Sequence, residues 1–316
     1  MDKIDSKNGI IGVALGDAMG VPVEFMDRKK LDQNPVQSMR GYGSHNVPEG
    51  CWSDDTSMTL ATIDAIIEDK DINCETIAKN FVAWYKEAKY TATNKLFDIG
   101  TTCLRAIAKY DSNEFKAEEC GGANEADNGN GSLMRIAPMI YYCYAKKLQE
   151  QEIYEVVKRV SSITHAHEIS VLGCFIYVLF GISLLKDNTL EMAYQNIKDV
   201  NYSNYFSDDA ISRYNRILKQ NVANISVDDI KSSGFVVDTL EATFWSLLNT
   251  DSYDSATLKA INLGHDTDTV GACVGGLAGI YYGIDQMNNE WKQKLLKYDY
   301  IIDMCKKFDE VMRIDY

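Results

Sequence analysis

Two short stretches of this 316-residue sequence carry more oxygen ligands than a helix start needs. Ser53-Asp54-Asp55-Thr56 stands directly before an amphipathic run, and Asp266-Thr267-Asp268-Thr269 opens the small-residue run from Val270 to Gly276. A Ser or Asp before a helix is an ordinary N-cap, and carboxylates favour the positive end of the helix dipole. One cap needs one such residue, however, and two adjacent carboxylates repel each other. Asp, Ser and Thr oxygens are hard ligands, suited to Mg2+, Mn2+ or Ca2+ rather than zinc or copper. Four Asp from two helix starts can bridge two cations about 3.5–4 Å apart, as in two-metal hydrolases.

A third block lies between them: Asp127-Asn128-Gly129-Asn130-Gly131-Ser132-Leu133-Met134-Arg135. Gly129 and Gly131 let the backbone pass close to a ligand and would present N–H groups at a helix start, a cradle for an anion. It is no dinucleotide fingerprint, because the third glycine is absent and no strand precedes it. Thr164-His165-Ala166-His167 places two histidines at i and i+2, off a common helix face, which argues against zinc. A polar helix start explains that segment as well as ligand contact does. Trp52 reads as core, and His265 as a residue that shapes the second acidic loop.

The elements that must position these residues are helices. Apolar residues recur at three and four rather than two, predicting helices over about 8–20, 54–69, 74–89, 94–110, 131–147, 151–162, 168–186, 207–221, 234–250, 254–262, 268–283 and 288–309. The expectation is one all-α domain over 1–316, with the active site on inter-helix loops. Connections at 21–52 and 118–131 are too long to be idle. Gly12, Gly16 and Gly20 share one face of the first helix, so another helix can approach closely. The uncharged run from Ile169 to Leu185 is at the lower edge for a membrane span, but it stands alone and reads as a buried core helix. No role is read for residues 187–232.

Forty-six acidic against 32 basic residues give a net charge of −14, which leaves no basic footprint for nucleic acid. Eight cysteines are widely spaced without a C-x-x-C pair, and residues 1–8 are polar rather than signal-like. Reduced, structural cysteines and a cytoplasmic setting are expected, with no membrane partner. The oligomeric state is not read.

Four blocks in order resemble the ADP-ribosylglycohydrolase family, especially its bacterial branch typified by dinitrogenase reductase-activating glycohydrolase. They are Gly16-Asp17-Ala18-Met19-Gly20 followed by Glu24, Trp52 to Thr56, Asp127 to Arg135, and Gly264 to Thr269. The resemblance implies that Ser53, Asp54, Asp55, Asp266, Asp268 and Thr269 ligate two divalent cations, Mg2+ or Mn2+; the family's usual residue at Ser53 is Thr. It implies that Asn130 contacts the distal ribose, with Gly129, Gly131, Ser132 and His165 lining the substrate. Asp127 matches a catalytic acid of the bacterial branch, and Glu24 an acid near the scissile bond in other branches; which of them moves the proton stays open.

The implied activity is hydrolysis of the N-glycosidic bond of ADP-ribosylarginine, on a modified protein or a small ADP-ribosyl compound. O-linked ADP-ribosylserine or another ADP-ribose derivative is the alternative substrate, and attack on a phosphate a third reading. An inactive binding or structural homologue would have lost ligands, whereas all six positions keep suitable oxygens.

Overall fold

In the computed structural model, which describes residues 5–313, helices follow one another with no strand among the described residues. They are α1 (Lys7–Gly20), α2 (Arg28–Gln33), α3 (Asp54–Asp69), α4 (Cys74–Glu87), α5 (Thr101–Asp111), α6 (Pro138–Ala145), α7 (Glu150–Ser162) and α8 (Glu168–Leu185). Then come α9 (Leu190–Lys198), α10 (Asp208–Arg213), α11 (Asn215–Leu218), α12 (Val236–Leu248), α13 (Tyr253–Ile261), α14 (Thr267–Tyr282), α15 (Asn289–Lys294) and α16 (Tyr298–Arg313). The all-α class expected from the periodicity is what forms.

At the centre, α1 and α14 meet backbone to backbone. A Cβ on Gly12 would lie 2.1 Å from Gly275 O, and one on Gly16 would lie 2.0 Å from Gly271 O. Only hydrogen fits at these crossings, so the glycines that weaken both helices intrinsically are what let them pack. Around the pair, one continuous apolar core takes in α3, α8, α12 and α16. Helix α8 has the length and hydropathy of a membrane span, yet 83% of it is buried inside the protein. The apolar run is therefore the spine of the core.

Several boundaries depart from the periodic pattern. The helix expected over 94–110 starts at Thr101, because Asn94 and Asp98 adopt left-handed φ of 58° and 55°. The helix expected over 131–147 starts at Pro138, whose fixed φ and missing N–H suit a first helical position. The stretch before it is a loop with a short 3-10 turn at Leu133–Arg135. The run over 288–309 breaks into α15 and α16 at Lys297, with φ 50°. Lys297 Nζ donates there to Thr91 O at 2.7 Å and Asn94 Oδ1 at 2.8 Å. Periodicity sees only apolar spacing, whereas these breaks are made by left-handed turns, a proline at a helix start and the Lys297 hydrogen bonds. Short α2 and α9 escaped it as well.

Candidate active site

The close crossing of α1 and α14 decides where the first acid goes. Asp17, fully buried on α1, accepts from Ser53 N at 2.9 Å, from Thr56 N at 3.0 Å and from Thr56 Oγ1 at 2.6 Å. It thus caps α3 from outside that helix. Ser53 Oγ supplies the local cap to Asp55 N at 3.4 Å. With capping done by Asp17 and Ser53, Asp54 and Asp55 are free of it. Asp55 Oδ1 accepts from Thr269 Oγ1 at 3.2 Å, and its Oδ2 is buried with no partner.

Gly20 sets the second acidic loop against the first. A Cβ there would lie 2.4 Å from Asp268 N and Cα, so the start of α14 rests directly on the end of α1. Oxygens of Asp17, Asp55 and Asp268 come within 4.8 Å of one another, as do those of Glu24, Asp266 and Asp268. Burial, and then the surrounding negative charge, pushes the carboxyls of Asp54, Asp55 and Asp268 well above the ordinary range. Burial raises Asp266 too, opposed by Asn130, whose Nδ2 donates to Asp266 Oδ2 at 2.9 Å. Like charges so placed, with a buried oxygen left orphaned, are matched to hard cations. Asp55, Asp266 and Asp268 therefore meet in two overlapping acidic groups, with Thr269 bonded to Asp55 and the Asp54 carboxyl close enough to feel Asp17, Glu24 and Asp266.

The long connection after α1 brings a third carboxylate. Phe25 N donates to His265 O at 2.6 Å and His265 N to Met26 O at 2.8 Å, with both residues in left-handed backbone, φ 64° and 61°. This two-bond clasp holds Glu24 beside Asp266. Burial raises Glu24 to about 7, against the hydrogen bond from His45. Asp98 joins them, since ligand atoms of Glu24, His45 and Asp98 lie within 4.8 Å of one another. Neither His45 nor Asp98 was singled out in the sequence. Nothing in their local pattern marks them, and only the left-handed turns before α5 place Asp98 there.

The third block divides. Asn130 is held by Thr239 Oγ1 at 2.9 Å as well as by Asp266, and its N–H donates to Gly234 O at 3.0 Å. Thr239 and the Ser232–Phe235 loop therefore belong to the site's frame, a role composition did not reveal. Arg28 ties the segment just before that loop to the end of α13, donating to Ile230 O at 2.6 Å and Leu263 O at 3.0 Å. No helix starts at Gly129 or Gly131, so the expected helix-start cradle is absent; the glycines instead make room for His165. A Cβ on Gly131 would lie 2.8 Å from His165 Cε1. Ser132 is fully buried, its hydroxyl 2.9 Å from that of Ser161. His167 caps α8, and Trp52 is core, its Nε1 donating to Tyr90 O at 3.2 Å.

Asp127 stands apart from the acidic cluster. It accepts from Asn124 N at 3.1 Å and Nδ2 at 2.9 Å, and lies 3.9 Å from Arg105. The Asn124 bonds hold its carboxyl below the ordinary range. The charged group bearing on it is Arg105, with the His165 ring also near, and not Glu24 or the Asp pairs.

A sequence profile of the ADP-ribosylglycohydrolase family matches residues 6–315. The chain belongs to that family. It is 30% identical over 305 residues to the ADP-ribosylarginine hydrolase Tri1 of Serratia proteamaculans, covering 96% of this chain and 78% of the relative. It is 27% identical over 295 residues to the ADP-ribosyl-[dinitrogen reductase] glycohydrolase of Rhodospirillum rubrum, covering 90% and 88%. A solved ADP-ribosylglycohydrolase-related protein complex superposes with a TM-score of 0.81 at 23% identity, over 98% of this chain and 99% of that one. The ADP-ribosylglycohydrolase chain is thus an enzyme of the glycohydrolase class, and its acidic clusters have the composition of a metal site.

Proposed function

We propose that the protein cleaves the N-glycosidic bond of ADP-ribosylarginine with two divalent cations, Mg2+ or Mn2+, held by Ser53, Asp54, Asp55, Asp266, Asp268 and Thr269. The observation that carries the reading is the meeting of Asp55 from the first pair with Asp266 and Asp268 from the second in overlapping buried acidic groups, with Asp55 Oδ2 unpartnered. When bound, such cations acidify water and polarise oxygens near them. Relatives named for arginine-linked and dinitrogen reductase-linked ADP-ribose support the substrate class.

Cleavage at C1″ passes through an oxocarbenium-like state that nearby carboxylates stabilise. Glu24 is the proton-bearing group of this scheme. It is buried in the cluster, hydrogen-bonded to His45, and raised by burial to about 7, where it can hold or release a proton near neutrality. Asp98 flanks it as the second carboxylate. Asp127, paired with Asn124 and facing Arg105, is assigned to shaping the loop rather than to proton transfer. Asn130, fixed by Thr239 and Asp266, orients ribose hydroxyls, with His165 and the loop of Gly129, Gly131 and Ser132 beside it. Eight free, buried cysteines suit a reducing, cytoplasmic setting.

The test is ADP-ribose release from an ADP-ribosylarginine protein with Mg2+ or Mn2+, beside Asp268→Ala. Metal-dependent release that disappears in the variant is expected. Release from serine-linked substrate alone would change the linkage, and AMP as product would replace glycosidic by pyrophosphate cleavage.

A further inference from the structure

Arg135 is an anomaly. Its guanidinium is fully buried, no carboxylate lies within ion-pair distance of it among the described residues, and its Nε and Nη1 have no hydrogen-bond partner. A buried charge without a counter-ion costs several kcal/mol, so a hydrophobic residue would serve packing better. What Arg135 does contact is specific. It sits 4.8 Å over the Phe81 ring, and its Nη2 donates to Val160 O at 3.2 Å and to Thr164 Oγ1 at 2.7 Å.

Thr164 Oγ1 lies in turn 3.0 Å from His165 Nδ1. Guanidinium has donors only, so the Thr164 hydroxyl accepts from Arg135 and its own proton needs an acceptor. Cys103 also neighbours that hydroxyl, but a thiol sulfur is a weak acceptor and an unprotonated imidazole nitrogen a strong one. The proton therefore goes to Nδ1, and the ring carries its hydrogen on Nε2. That nitrogen lies along the glycine loop, 3.5 Å and 3.4 Å from where Cβ atoms of Gly129 and Gly131 would be. Among the described residues none hydrogen-bonds to it, and it keeps slight solvent exposure beside that loop.

We infer that Arg135 is a positioning residue that, through Thr164, locks neutral His165 as the Nε2–H tautomer, a fixed uncharged donor for a substrate oxygen at the Gly129–Gly131 loop. Burial, and then the Arg135 charge, also lowers His165 to about 3, so the ring stays neutral. A cationic or Nδ1–H ring would offer the loop a different donor pattern. The substrate part of this inference rests on the proposed ADP-ribosyl substrate; the tautomer part does not.

Nitrogen-15 NMR of the full-length, Mg2+-loaded protein reads the tautomer directly. The chain has four histidines, and a His165→Gln variant identifies the ring signals of interest. The expected spectrum shows Nε2 protonated and Nδ1 bare from pH 7 down to pH 5. Thr164→Val should let Nδ1–H appear and raise KM about tenfold with kcat little changed, the worth of one hydrogen bond to a charged group. Thr164→Ser should restore both, and Arg135→Met should show the same mixed tautomer if it folds. An Nδ1–H or cationic His165 in the wild type would overturn the inference, as would a Thr164→Val ring unchanged in tautomer. If no ADP-ribosyl substrate is cleaved at all, the NMR result still decides the lock, separately from the proposed activity.

Discussion

Thr56 Oγ1 donates to Asp17 Oδ2 at 2.6 Å, across the interface between α1 and the start of α3. This bond, with the Ser53 and Thr56 N–H bonds to the same carboxylate, separates two jobs that adjacent acids on one helix start would otherwise share. Asp17 caps the helix start from a neighbouring helix, and the Asp54 and Asp55 carboxylates take no part in that cap. Replacing Asp17 by Ala leaves three buried donors without an acceptor. A loss of about 2–4 kcal/mol in urea unfolding is expected, with weaker Mn2+ binding measured by calorimetry.

The α1–α14 crossing should be intolerant of a single methyl. Gly16→Ala would put Cβ 2.0 Å from Gly271 O, which requires the helix backbones to separate. Overpacking of this kind costs about 1–3 kcal/mol, or more where backbone must move. Because Asp17 follows Gly16 directly, activity should fall more steeply than thermal stability. A variant with wild-type metal affinity would show that the crossing does not set the site.

Without metal, the acidic cluster should make the protein more stable as pH falls. The folded state holds protons on Asp54, Asp55, Asp266 and Asp268 that the unfolded chain releases, so stability is lost as pH rises above the ordinary carboxylate range. Asp17, raised by burial to about 6, adds to the same window. His165 runs the other way: held neutral, it costs about 1.4 kcal/mol at one pH unit below the ordinary histidine value. Five carboxyls outweigh one imidazole. Metal-free melting temperature should therefore rise between pH 7.5 and 5.5, and saturating Mn2+ should flatten or reverse that slope.

Asp268→Asn separates function from stability. The amide supplies, without taking up a proton, the neutral side chain that the metal-free fold holds at this position, so at pH 7.5 the metal-free variant should melt a few degrees above the wild type. Its metal affinity and ADP-ribose release should collapse. A lower melting point in the metal-free state would mean that the cluster is held by hydrogen bonds rather than burdened by repulsion.

Glu24→Gln tests the assigned proton carrier. It keeps the shape and a hydrogen-bond partner for His45 but removes the titrating carboxyl. A fall in kcat of about 10²–10⁴-fold with KM little changed is expected. Asp127→Asn should cost far less in kcat, because that carboxylate is occupied with Asn124 and Arg105.

The helical class, the paired acids at two helix starts and the glycine face of α1 were legible from the residues alone. Each is local: spacing of three and four defines a buried face, and Asp beside Ser or Thr is a hard-ligand set wherever it stands. What the chain could not disclose by spacing is which groups from distant segments meet. Asp17 reaches α3 only because Gly16 and Gly271 let two helices touch. Asp98 joins Glu24 and His45 only because left-handed turns break the expected helix before Thr101. Asp127, which the family resemblance marked for catalysis, is turned toward Arg105 by its bonds to Asn124. Sequence determines the kinds of oxygen available and the faces that must be buried. Tertiary contact decides which oxygens lose their water and share one space, and that loss is what raises their proton affinity and prepares them for cations.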